Sequence, residues 1–418
     1  MFQAAGDGAL NKNNTNQTRA RRRSVHLSID VPLLLTAITL GVFGLLMVYS
    51  ASWDYSYQLF GDSTQIFYRQ VLWFVLGVVA AGALIFIDYR VFRKLAVPMI
   101  IITIILLLGV LLVSDVRNNA VRTLLRGSIQ PSELAKLVIV IYLAVWLYSK
   151  RERLSDVSFG LIPLAAILGI LGGLIIVQPD LSAVITIFFL GGLMFFLAGG
   201  DLRQIGILVL VAALFGWVIV AVNSTGSERI ASYLAGLRDP FQASYHVRRS
   251  MEAFVKGGWF GVGIGNSETK LTGLPVPPTD SIFAVIGEET GVLGAIILVV
   301  LYTTLLWRGL GISRRAPDGL GTLLAAGLSI WLVVEALVNM AVMVGLLPFA
   351  GNALPFISAG GSNLLVSCAA IGILLNISRL SVKTQEEEAK SFSAVVNLRR
   401  WDRRRRLSRT RRTSSSQE

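Results

Sequence analysis

In "GLPVPPTDSIFAVIGEETG", residues 273–291, three carboxylates, Asp280, Glu288 and Glu289, stand at the entry to an otherwise apolar run. Few other side chains in the chain can move a proton. There are two histidines, His26 in the N-terminal arm and His246, and one cysteine, Cys368, so histidine-based catalysis has His246 alone to draw on and a His/Cys metal cluster is excluded. A carboxylate with an ordinary pKa near 4 is ionised at neutral pH and ready to take a proton from a hydroxyl nucleophile. Arginines at 122, 126, 229, 238, 248 and 249 carry planar forks that suit phosphate oxygens. Base and anion site together describe glycosyl transfer from a lipid pyrophosphate. The plainer role for Asp280 is a helix N-cap, helped by Thr279.

The remaining polar groups have structural readings of equal weight. Glu133 and Lys136 are three residues apart on one helical face and can neutralise each other. Glu335 and Asn339, four apart, can do similar work through a hydrogen bond. Glu288 and Glu289 are adjacent and cannot share a face, so at least one must meet another helix. In "GGWFGVGIGNS" the glycines 257, 258, 261, 263 and 265 allow either close backbone approach to a phosphate or sugar, or plain turns. The cluster lacks the spacing and preceding strand of a dinucleotide site.

These residues are carried by a chain that only lipid can solvate. It has 418 residues, 54% hydrophobic and 15% charged, with "VPLLLTAITLGVFGLLMVY" as the first of ten apolar runs. The runs lie near 31–50, 70–87, 95–114, 132–148, 159–177, 181–199, 204–222, 281–306, 319–345 and 357–378, and predict an all-α bundle of ten membrane helices. With both termini cytoplasmic, 27 of the 38 Lys and Arg fall on the inner side, 10 on the outer side and Lys136 within a span. The net charge of +13 then reflects contact with anionic lipid by a basic arm, 1–30, and an Arg-rich tail, 379–418, both expected to be disordered, and no nucleic acid. One outer segment, 223–280, is long and is expected to fold onto the mouth of the bundle. Prolines 131, 179, 277, 278 and 355 sit at or before the starts of four helices that run inward from that mouth. If these N-termini converge, their N–H groups and dipoles favour an anion.

The ordered motifs "LLMVYSAS", "IQPSELAK", "VQPDLS", "GGWFGVGIGNSETK", "LPVPPTDSIFAVIGEETG" and "GLLPFAGNALPFISAGGS" resemble those of the SEDS proteins, the FtsW and RodA group, over residues 30–378. The resemblance implies a peptidoglycan glycosyltransferase that polymerises lipid II at the outer face of the bacterial cytoplasmic membrane, releasing undecaprenyl pyrophosphate. It implies a class B penicillin-binding protein as partner, beside other division or elongation proteins. Asp280 matches the family's essential aspartate and takes the role of general base. Arg122, Arg229, Arg248, Lys270, Gly261, Gly263, Gly265, Ser267, Thr279, Ser358, Gly360, Gly361 and Ser362 become candidate substrate contacts. Gln130, Glu133, Lys136, Gln178, Asp180, Glu288, Glu289 and Asn339 become structural or tuning residues. A divalent cation, Mg2+ or Mn2+, could assist the leaving group. The sequence departs from the family at Tyr245-His246, where Tyr-Gln is usual. A lipid II flippase and a non-enzymatic division scaffold remain alternatives.

Overall fold

The computed structural model describes residues 29–113, 130–222 and 224–385. It is built from helices: α1 (Val31–Phe60), α2 (Gln65–Phe86), α3 (Phe92–Val113), α4 (Pro131–Lys150), α5 (Leu161–Val177), α6 (Leu181–Leu197), α7 (Leu202–Val222), α8 (Ser224–Arg238), α9 (Tyr245–Gly257), α10 (Ile282–Arg315), α11 (Gly319–Met343) and α12 (Gly361–Gln385). Seven of them, α1 to α4 and α10 to α12, are long and apolar enough to cross a membrane, and α5, α6 and most of α7 are shorter apolar helices. Each coincides with one of the expected runs. The basic arm, apart from Ile29 and Asp30, and the tail beyond Gln385 lie outside the described residues, as does Arg122.

Apolarity marks where a helix can lie in lipid and says little about where it stops. α1 therefore continues ten residues past the expected boundary, through "ASWDYSYQLF", until Gly61 terminates it in the left-handed conformation (φ 72°). α12 runs on past 378 into what was expected to be tail. Only Pro131 of the expected prolines occupies a first helical turn; Pro277, Pro278 and Pro355 lie in the loops that precede α10 and α12.

α4, α11 and α12 form the buried centre, around Trp331, Ile139, Leu324 and Leu374, while α2 and the second half of α10 expose apolar side chains as a lipid-facing surface does. At one end of the bundle Arg308 of α10 grips Asp30, the N-cap of α1, through two hydrogen bonds of 2.9 and 2.6 Å. At the other end lie α8, α9 and the loops before α10 and α12. The long segment between α7 and α10, expected to be outer, contains these two helices and does more than cover the mouth: α9 packs along α10, and residues 258–263 are bonded into it. α10 breaks at Gly291 (φ 68°, ψ −169°), where the helical hydrogen-bond pattern fails. The loop supplies replacements: Val292 and Leu293 donate to the carbonyls of Gly258 and Trp259, and Val262 and Gly263 donate to those of Glu288 and Glu289. The stretch of α10 before Gly291 is thus a separate short helix splinted by backbone.

Candidate functional site

Four elements bring their helix starts to one cavity of about 260 Å³: Gln130 caps α4, Asp180 caps α6, Thr279 and Asp280 precede α10, and Gly360 to Asn363 open α12. The backbone that carries Asp280 is held at three successive carbonyls. That of Pro278 accepts from the Ala359 N–H at 2.7 Å, that of Thr279 from the Ser358 hydroxyl at 2.7 Å, and that of Asp280 from Asn339 Nδ2 at 3.0 Å. Each donor comes from α11 or the loop before α12, so the aspartate rides on a rigid seat. Two residues near the site, Val276 (φ 43°) and Phe356 (φ 67°), adopt left-handed backbone that costs a side-chain-bearing residue of order 1–3 kcal/mol, a form of strain that clusters at functional sites.

Below Asp280 the wall of the cavity is an ion-pair network. Lys136 Nζ bonds Glu133 Oε1 at 2.9 Å and also Glu335, and Glu133 Oε2 accepts from Asn363 Nδ2 at 2.8 Å. Asp180 accepts from Gln130 Nε2 at 3.0 Å, from Ser132 at 2.9 Å and from Ser182 at 2.9 Å. Ser362 accepts from the Gln130 N–H at 3.1 Å, which ties the starts of α4 and α12 together. The sequence pairing of Glu133 with Lys136 is present, but the second carboxylate on Lys136 is Glu335, expected instead to work with Asn339. Asn339 turns to the Asp280 carbonyl and to that of Asn352. Gln178, expected as a structural or tuning residue, donates to the Leu107 carbonyl of α3 at 2.9 Å.

Several expected substrate contacts stand elsewhere. Lys270 is buried and bonds Glu289 Oε1 at 2.7 Å, Ser50 of α1 at 3.0 Å and the Gly265 carbonyl at 2.9 Å. Ser267 donates to Glu288 at 2.5 Å, and the same carboxylate accepts from the N–H groups of Glu268 and Thr269. Glu288 and Glu289 therefore do not merely brace their own helix; they fasten the loop after α9 to it, and Glu289 fastens both to α1. Gly261 is required by packing, since a Cβ there would come within 2.2 Å of the Glu289 carbonyl oxygen and its φ is 78°. With Gly263 it belongs to the splint and not to a phosphate cradle. Ser358 likewise spends its hydroxyl on the Thr279 carbonyl. Gly265 offers its carbonyl to Lys270.

Arg229 lies over the Phe349 ring at 5.5 Å and Arg248 over Tyr245 at 5.7 Å. Neither lines the cavity, so among the described residues its walls carry Glu133, Asp180 and Asp280 against the single cation Lys136. His246 stacks on the other side chain of this outer cluster, its ring 4.1 Å from that of Phe349. Burial, and then the nearby Arg229 charge, push its pKa down to about 4, so it is neutral at neutral pH. Among the described residues no group of three or more His, Cys, Asp or Glu side chains is placed to hold a metal ion.

Sequence reasoning passed over Asn363, Asn352, Ser182 and Ser50. All four are small polar residues in or beside apolar segments, where a hydrogen-bonding side chain must find a partner inside the protein. That signal was legible, though not the partner.

A family model described as a cell cycle protein family, FTSW_RODA_SPOVE, matches residues 31–383. A probable peptidoglycan glycosyltransferase FtsW of Trichlorobacter lovleyi is 38% identical over 353 residues, covering 84% of this chain and 93% of that one. The stage V sporulation protein E of Bacillus subtilis is 35% identical over 359 residues, covering 85% and 98%. Among solved structures, a chain from a study of the coordination of polymerization and crosslinking by a peptidoglycan synthase complex superposes with a TM-score of 0.69 at 27% identity, covering 85% of this chain and 99% of that one. The rod shape determining protein RodA of Thermus thermophilus gives 0.62 at 25% identity, covering 85% and 98%.

Proposed function

Because the chain belongs to the FtsW, RodA and SpoVE family, we infer that it is a peptidoglycan glycosyltransferase, a multi-pass membrane enzyme that polymerises lipid II in cell division or elongation. The observation that carries the mechanism is Asp280, seated on fixed backbone in the wall of a cavity where helix starts meet. The carboxylate takes the proton of the acceptor sugar's 4-hydroxyl as that oxygen attacks the anomeric carbon of the growing chain's terminal sugar. The anomeric C–O bond to pyrophosphate breaks, the linkage inverts from α to β, and undecaprenyl pyrophosphate leaves.

With the three candidate arginines away from the described cavity or outside the described residues, the leaving diphosphate falls to the first-turn N–H groups of α12 at Gly361 and Ser362. A helix cannot satisfy these donors internally, and its dipole favours an anion beside them. No protein cage for a cation is formed by the described residues. Mg2+ commonly binds through one or two carboxylates together with substrate phosphates, so a divalent ion would arrive with the pyrophosphate. The excess of Lys and Arg on the end that includes Arg308 supports a cytoplasmic position for that end and an outward-facing cavity. The resemblance to a chain of a synthase complex supports a transpeptidase partner of the class B penicillin-binding type.

The test is Asp280→Asn, purified and supplied with labelled lipid II. Loss of a general base lowers turnover by about 10²- to 10⁴-fold. Polymer should vanish while the thermal midpoint and lipid II binding persist; undiminished glycan synthesis would remove Asp280 from the mechanism. The same assay separates a polymerase from a flippase, which would move labelled lipid between leaflets without making polymer.

A further inference from the structure

Two polar contacts between α1 and α10, an ion pair and a hydrogen bond, measure out a membrane. Asp30 meets Arg308 at one end, and Ser50 meets Glu289 at the other. The intervals, 30 to 50 and 289 to 308, are each close to twenty residues, roughly 30 Å of helix and the thickness of a bilayer's hydrocarbon layer. α10 changes character at this second level. From Ile282 to Glu289 it is buried on all sides, whereas from Val292 onward Val292, Leu293, Ile296 and Ile297 are exposed in the manner of lipid-facing residues. The splinting loop crosses α10 at the transition, bonded at Val292 and Leu293. Its outward side chains are large and apolar: Trp259 is 67% exposed and Phe260 81%, flanked by Val255 at 82% and Ile264 at 53%. On α1, Tyr49 and Trp53 are exposed at the same level.

We propose that Trp259 and Phe260 form an interfacial anchor, seated in the boundary between lipid headgroups and acyl chains on the Asp280 side of the membrane. The partner is the lipid surface itself, because the patch is bonded through its backbone to α10 at Val292 and Leu293, where the exposed apolar residues of that helix begin, and lies at the level where Trp is favoured in membrane proteins. Lys256, paired with Glu252 and Glu268 beside the patch, provides the polar neighbourhood of a headgroup layer. The anchor pins the loop that splints the break at Gly291, and through it the short helix that follows Asp280. The segment around 255–264 is in this view a membrane-seated edge of the outer region, not a water-exposed loop. The inference rests on the membrane-spanning fold and not on the proposed chemistry.

The full chain in phosphatidylcholine nanodiscs allows a direct test. The chain has eight tryptophans, so the Trp259 signal is read as the difference between wild type and Trp259→Phe, a change that keeps the aromatic anchor. That difference signal should be quenched by lipids brominated near the headgroup end of the acyl chain and shielded from aqueous iodide. Quenching by iodide and not by brominated lipid would overturn the proposal and mark the patch as a water-facing docking surface for a protein. In a second variant, Phe260→Asp, amide exchange at 258–263 should rise about tenfold in nanodiscs, as a locally released segment would. Unchanged exchange would equally overturn it.

Discussion

The role of Lys270 decides between a substrate contact and a structural brace, and the two make different predictions for Lys270→Met. The ammonium and the Glu289 carboxylate are both buried, and the ammonium has three oxygen partners between 2.7 and 3.0 Å. Methionine preserves much of the apolar stem and removes the charge, leaving Glu289 buried with Ser50 as its remaining partner among these groups. Breaking a buried pair from one side costs about 3–5 kcal/mol, because the surviving charge is desolvated without compensation. Replacing both members by apolar residues of similar size is often close to neutral, so Lys270→Met with Glu289→Met should recover most of that loss. A double-mutant cycle on denaturant midpoints in mixed micelles measures the coupling, expected at about 3 kcal/mol or more because each single variant strands a buried charge that the double variant does not. In lipid II assays the single variant should lower the folded, active fraction and leave KM where it was. Additive losses with no coupling, or a raised KM at full stability, would refute the brace and return Lys270 to the substrate.

Gly261→Ala should destabilise the splint by about 1–3 kcal/mol, since a Cβ would strike the Glu289 carbonyl at a left-handed φ; limited proteolysis between 258 and 271 reads the loosening. His246 gives the outer cluster an acid limit. Its folded pKa, about 4, lies below the ordinary 6.5, so the unfolded chain binds the proton more readily; stability present above pH 6.5 falls as the pH drops towards 4. His246→Gln, restoring the residue usual in the family, should flatten that slope in midpoint-against-pH measurements. Chelation of divalent ions should slow polymerisation if a cation accompanies the pyrophosphate, yet leave the apo thermal midpoint unmoved, as the described residues build no cage for one.

Residue order alone determined what depends on neighbours along the chain. Runs of about twenty apolar residues specify the helices that lipid must surround, because an unsatisfied backbone group in hydrocarbon costs several kcal/mol. The spacing of Glu133 and Lys136 specifies an i,i+3 pair, and the position of Asp280 at the edge of a span specifies a carboxylate near water. Tertiary structure decided the partners that lie far apart in the chain. Glu335 reaches Lys136 across 199 positions, and Lys270 and Ser50 meet at Glu289 across 220. The glycine loop, legible as a possible phosphate cradle, became instead the backbone repair of a broken helix, and two candidate arginines went to aromatic rings outside the cavity. A charge in a low-dielectric interior takes whichever opposite charge or dipole the packing brings within about 3 Å, and that choice is made by the assembled helices and has no period for a sequence to display.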